Sequence, residues 1–218
     1  CHSYGTISLV NHKPLKMSAK RVFITGGTGY IGSRLIPILQ GKGHEVTALV
    51  RKGSEQKVPP GCRVVVGNPF EAASFEREIP AGCVFVQLLG VPHPSPKKAA
   101  LFFSIDLASA KASAAAAKVA GVAHFIYVSV ATEPASIMRD YQAARAEAER
   151  TLLESGMALT FVRPWYVLGP GHWWPVLLTP VYKILEWLPA TRKKAKALGL
   201  VNLRQMLLAL TEAVERTP

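Results

Sequence analysis

Along the chain, short apolar runs alternate with longer stretches in which apolar residues recur every three or four positions. The short runs predict strands over residues 21–25, 45–50, 62–66, 83–89, 124–129 and 158–162. The longer ones predict helices over 30–41, 70–78, 99–120 and 136–156. Strand and helix in alternation are the signature of βαβ units that stack into a parallel sheet. The run "KASAAAAKVAG" is rich in the best helix former, and its small side chains let a helix lie close on a sheet. Gly41 and Gly43, Gly121 and Gly156 stand where helices should stop. A final helical period begins near Leu203.

Beyond Pro164 the pattern changes. In "WYVLGPGHWWPVLLTPVYKILEWLP", Pro175, Pro180 and Pro189 would each interrupt a helix, and Lys183 and Glu186 break the apolar run, so loops and short helices are expected, not one membrane span. With 218 residues the chain has room for one well-buried domain and not for two. Residues 1–16, ahead of Met17, lack the apolar core and small-residue cleavage site of a secretory signal. They are expected to be a disordered or non-native extension. Residues 17–218 are expected to form a single domain, with 164–218 as a reduced substrate-side region.

Composition changes this picture little: 49% hydrophobic and 18% charged residues describe a globular chain. Charge adds more. Lys and Arg number 26 against 14 Asp and Glu, a net +12 that would suit nucleic acid, an anionic membrane or phosphate-bearing small molecules. The cations are spread from Lys13 to Arg216, with one dense cluster, "TRKKAK" at 191–196, and no basic helix interleaved with aromatics. No nucleic-acid partner is therefore expected, and weak membrane-surface contact through that cluster stays open. Cys1, Cys62 and Cys83 have neither metal-ligand spacing nor an even-numbered framework, so a reducing, cytoplasmic setting is the expectation. Cys62 and Cys83 open apolar runs and read as core thiols.

The candidate chemistry begins at "RVFITGGTGYIG". Gly26, Gly29 and Gly32 follow a strand and open a helix. That context suits a tight turn, close backbone approach to a pyrophosphate, and a helix amino end that points its free N–H groups at an anion. The second strand ends at Arg51 and Lys52. An acidic residue there would bind the ribose hydroxyls of NAD, whereas Arg accommodates the extra phosphate of NADP. Arg51 is thus a candidate selector for NADP, with NAD the alternative and a solvated strand end the plain reading.

"FITGGTGYIG", "FIYVSV", "YQAAR" and "FVRPWYVLGPG", in that order, resemble the short-chain dehydrogenase/reductase superfamily. The likeness is to its extended and atypical, NmrA-like members, often labelled nucleoside-diphosphate-sugar epimerases. It implies an α/β, Rossmann-type, doubly wound parallel sheet with strand order 3-2-1-4-5-6, and a short, mostly helical C-terminal extension. It also implies that Gly26, Thr28, Gly29, Tyr30, Ile31 and Gly32 surround the pyrophosphate. Asn68 and Pro69 would lie near adenine, with Asn68 where relatives usually have Asp. Leu88, Leu89 and Gly90 would flank the cofactor, and Pro164 to Val167 would approach the nicotinamide.

The same resemblance implies a catalytic set of Ser129 and Tyr141, with Arg145 where the family has Lys. Tyr would carry the proton, Ser would orient the substrate oxygen, and Lys would hold the ribose and lower the Tyr pKa. Arg145 shares a helix face with Tyr141, but its planar fork differs from a compact ammonium. Tyr141 is therefore either the proton carrier or an ordinary helix tyrosine beside the cofactor. Asp106, where extended relatives have Asn, reads first as a helix-start residue. His93 and His172 read as loop residues, and no metal site is expected. Trp173, Trp174 and Trp187 suit a small or apolar substrate, or equally a tryptophan-rich lid. Two functions follow: an NADP(H)-dependent oxidoreductase, or a non-catalytic NAD(P)-binding redox sensor or accessory subunit resembling NmrA-like regulators or the dehydrogenase-like subunit of respiratory complex I. Pairing into a homo-oligomer is compatible with both.

Overall fold

A computed structural model describes residues 18–92, 94–131, 138–164, 166–170 and 201–216. The strands are β1 (Arg21–Thr25), β2 (Glu45–Val50), β3 (Arg63–Val66), β4 (Val84–Gln87), β5 (His124–Val128) and β6 (Leu159–Val162). All pair in parallel, in the order β3-β2-β1-β4-β5-β6. This is the order that the family resemblance implies. Thr25 is level with Leu49 and Gln87, and Gln87 with Tyr127, so the carboxyl ends of four strands reach one edge together.

Alternation along each strand assigns its two faces. Val22 and Ile24, Val46, Ala48 and Val50, and Val84 and Val86 pack on one side with α1 (Gly32–Gly41) and α5 (Leu203–Glu215). Phe23, Leu49, Phe85, Phe125 and Tyr127 pack on the other with α3 (Ala108–Ala120) and α4 (Arg139–Glu154). The Phe85 and Phe125 rings stack there with centroids 4.8 Å apart. Leu35, Ile36 and Leu39 of α1 are fully buried, each worth about 1.5–3 kcal/mol relative to exposure. The alanine face of α3 lets it lie against β4, as its composition predicts. Although Pro96–Ala120 is long and apolar enough to cross a bilayer, Ala110, Ala114, Ala116 and Ala117 are buried in that core.

Three local features differ from expectation. Residues 70–78 form two 3₁₀ turns, Ala72–Ser74 and Glu76–Glu78, in place of a helix. The Ser74 hydroxyl accepts from the Asn68 N–H and donates to backbone carbonyls of Asn68 and Glu71, which offers the backbone an alternative to helical pairing. Second, α3 is preceded by α2 (Ala99–Leu101) and a π-helical stretch, Phe102–Leu107. Asp106 lies in mid-helix, not at a helix start, and is completely buried. Third, a small parallel pair, β7 (Val167–Leu168) with β8 (Val201–Asn202), leads into α5. Asn202 caps α5 in a reciprocal capping box with Gln205, at 2.8 and 2.9 Å.

Candidate active site

The turn after β1 is built for an anion. Gly26 has φ +70°, and a Cβ there would stand 2.8 Å from the Leu89 nitrogen, so the knot and the loop after β4 touch backbone to backbone. The Gly29 N–H closes the turn on the Gly26 carbonyl at 3.0 Å. Helix α1 then begins with no side-chain cap and no acidic residue in its first turn. Its amino end is thereby left to a negatively charged group.

A cavity of about 300 Å³ opens at this point, at the carboxyl ends of β1, β2 and β4. It brings together eight of the predicted cofactor residues: Gly26, Thr28, Gly29, Arg51, Pro69, Leu88, Leu89 and Gly90. Larger clefts of about 700 and 820 Å³ lie at the amino ends of β1–β3 and between α1 and α5. Both are remote from the residues that carry chemistry.

The same cavity is lined by residues that sequence reasoning missed: Leu49, Val50, Ser54, Phe70, Val91, Pro92 and Ile105. Ser54 had a legible signal. In "RKGS" the Ser54 N–H returns to the Arg51 carbonyl at 3.0 Å, with Gly53 at φ +83°, so arginine and serine meet at one turn. Phe70 had a weaker one. The Asn68 side-chain oxygen accepts the Phe70 N–H at 3.1 Å, which closes an Asx turn and leaves Phe70, 44% exposed, at the cavity. Asn68 thus shapes the turn, and Pro69 and Phe70 are the parts that face the cavity.

Other predicted cofactor residues lie around this centre without lining it. Gly32 is buried, packed against the backbone of Gly26 and Gly27. Ile31 joins the apolar cluster of α1. Tyr30 sits beside Gly169, and the Arg34 guanidinium lies 4.4 Å from its ring centre. Lys52 is exposed next to Arg51. Val167 packs on the α1–α5 side of the sheet, and the Pro164 carbonyl accepts the Ala131 N–H at 3.3 Å. His93, Trp165, His172, Trp173, Trp174, Trp187 and the 191–196 cluster lie outside the described residues.

Behind the cavity is a buried polar layer. Arg145 pairs with Asp106 and also donates to the Val128 carbonyl at 2.7 Å and the Tyr127 hydroxyl at 3.2 Å. Burial raises the Asp106 pKa, against the opposing pull of Arg145 and of the Val91 N–H, which donates to it at 3.0 Å. Burial works against the charge on Arg145, but Tyr141, Tyr127 and Asp106 outweigh it and raise its pKa. Beside this pair, Gln87 accepts from Thr25 and Ser113 and donates to Ser109. Arg145 is therefore engaged inside the protein, 7% exposed, and is not extended toward the cavity.

Tyr141 shares the α4 face with Arg145 as the spacing predicts, its ring centre 5.2 Å from the guanidinium carbon and 5.0 Å from the Phe102 ring. It lines a separate cavity of about 90 Å³ with Phe102 and Met138. Burial raises its pKa, with Arg145 opposing. Ser129 is buried at the end of β5. Glu149, partly desolvated, is nonetheless held low by Arg163, whose Nε donates to it at 2.8 Å, and by the Ser129 hydroxyl. Cys62 and Cys83 are pushed up to about 11 by burial, as core thiols should be.

A doubly wound sheet with a glycine knot at its switch point defines a dinucleotide-binding protein. A family model described as NAD(P)H-binding matches residues 26–170, and the chain belongs to that family, within the epimerase-like part of the short-chain dehydrogenase/reductase superfamily. It is 26% identical over 222 aligned positions to a 4-hydroxy-2-methyl-3-oxo-4-farnesyl-3,4-dihydroquinoline-1-oxide ketoreductase of Stigmatella aurantiaca, covering 91% of this chain and 65% of the relative. It is 31% identical to the uncharacterized sugar epimerase YhfK of Bacillus subtilis, covering 66% of this chain and 71% of the relative. A ceramide reductase of Caulobacter vibrioides is also 31% identical, covering 69% of this chain and 47% of the relative. The chain thus spans about two thirds of the ketoreductase and about half of the ceramide reductase. Among solved structures, the Bordetella bronchiseptica enzyme WbmH in complex with NAD+ superposes with a TM-score of 0.67 at 18% identity, covering 91% of this chain and 73% of that one. That likeness speaks for the fold.

Proposed function

We propose that this chain binds NADP(H) in preference to NAD(H) and reduces a small carbonyl compound. The observation that carries the reading is the meeting of Arg51 and Ser54 with the glycine turn that leads into α1 at one cavity, with no acidic residue among the described residues that line it. Gly26, Thr28 and Gly29 would hold the pyrophosphate, Phe70 and Pro69 the adenine, and Arg51 with Ser54 the ribose phosphate. The bound nicotinamide supplies hydride. Tyr141 would give a proton to the oxygen that hydride transfer leaves charged; burial opposes this by raising its pKa, and Arg145 favours it by stabilising the phenolate. Ser129 would orient the substrate oxygen, its hydroxyl able both to donate and to accept. The reductases among the relatives support this direction.

One observation favours a second reading, a non-catalytic NADP(H) sensor or accessory subunit: Arg145 is committed to Asp106 and does not extend to the cavity. Nucleotide affinity followed by turnover separates the two. Calorimetry should give tighter binding of NADPH than of NADH; binding of neither at millimolar concentration sinks both readings. A panel of aldehydes, ketones and quinones should then be reduced by the native chain and not by Tyr141→Phe. Tight binding without turnover on any of them selects the sensor.

A further inference from the structure

The Asp106–Arg145 pair lies behind the dinucleotide cavity without lining it. Asp106 is fully buried and Arg145 nearly so. A charged pair removed from water is weak evidence of stabilisation, since packed apolar residues of similar volume often serve a fold as well or better. Its hydrogen bonds give it another use. One Asp106 oxygen takes Arg145, and the other accepts the Val91 N–H at 3.0 Å. Both members of the pair pack on Gly90: a Cβ added there would run into the Arg145 guanidinium and stand 2.9 Å from Asp106 Oδ1. Gly90, Val91 and Ile105, the neighbour of Asp106, are all cavity wall. The other end of the pair is fixed to β5, where Arg145 holds the Val128 carbonyl.

We propose that Asp106 and Arg145 are positioning residues for the dinucleotide: the pair sets the Gly90–Val91 backbone at the spacing the cofactor requires and is kept for affinity, not for stability. The inference rests on the reading that this cavity takes NAD(P)H. No cofactor contact by either side chain is needed. What matters is the carboxylate oxygen that faces Val91.

Two variants separate affinity from stability. Asp106→Asn keeps an oxygen for the Val91 N–H but leaves a buried guanidinium unpaired; its melting temperature should fall clearly while the NADPH Kd changes by less than about threefold. The double variant Asp106→Leu with Arg145→Met fills the space with apolar atoms and removes the acceptor. It should melt within a few degrees of the native chain, bind NADPH about tenfold more weakly, and show faster hydrogen exchange at the Val91 amide. Affinity and stability thus rank the two variants in opposite orders. A double variant that binds NADPH as the native chain does, or that fails to fold, overturns the proposal. If the native chain binds neither NADPH nor NADH, the functional reading fails instead, and exchange at Val91 still decides whether the pair fixes this loop.

Discussion

At the residue scale, Arg51 carries the sharpest expectation. It directly follows β2, whose residues Val46 to Val50 are buried, and is itself exposed at the cavity, where the proposed reading has it meet the ribose phosphate. Arg51→Asp should weaken NADPH binding at least about tenfold, the worth of one or two charge-assisted hydrogen bonds, and leave NADH within about threefold. Fluorescence titration with both nucleotides checks it, and equal losses would refute the assignment. The places of Arg51, Gly26 and Gly29 at the cavity were legible because they depend on local chain position. The Asp106–Arg145 pair was not. Its members are 39 residues apart, with α3 and β5 between them, and no periodicity announces that Asp106 faces inward in a π-helical stretch. Tyr141 shows the same limit: its spacing to Arg145 was readable, its packing on Phe102 was not.

At the element scale, the strands and most helices were legible because burial on both faces of a parallel sheet writes near-continuous apolar runs. The segment 70–78 misled because Phe75 and Ile79 are buried at helical spacing although the backbone between them makes two 3₁₀ turns. The pair β7–β8 was invisible, since two residues on each side carry no pattern. Helix α5 is the element whose contribution is simplest to isolate. Asn202→Ala removes the side-chain acceptor of its capping box, the bond from the Gln205 N–H, and should cost about 1 kcal/mol. Thermal melting should show that loss while the NADPH Kd stays within experimental scatter, because the cap lies outside the cavity lining.

At the scale of the whole molecule, the response to acid turns on the two buried imidazoles among the described residues. His44 Nδ1 accepts the Lys20 N–H at 3.1 Å, and its Nε2 is 3.9 Å from Glu215. Burial lowers its pKa; Glu215 opposes this, and Lys20 and Lys42 add to it. Burial likewise lowers His124, with Lys20 in the same direction, while its Nε2 pairs with the Thr160 hydroxyl at 2.9 Å. A depressed folded-state pKa means that the unfolded chain binds the proton first. Stability is therefore full above the ordinary imidazole value near pH 6.5 and is lost as pH falls below it toward the folded values. Calorimetric melting should be flat from about pH 8 to about pH 7 and decline between about pH 6.5 and about pH 5, ahead of the carboxylates. A flat profile down to about pH 5 would show that neither ring titrates on unfolding.

Helix α5 has a consequence for how the chain is made. Met206, Leu207, Leu210 and Val214 share one buried cluster with α1 and the sheet, and the Lys20 ammonium grips the last carbonyls of α5 at 3.0 Å. During synthesis the phosphate cradle leaves the ribosome first, yet the helix that supports it gains its neighbour only when residues near 214 emerge. A nascent chain arrested before Leu203 has the whole fingerprint and no finished seat for the nucleotide.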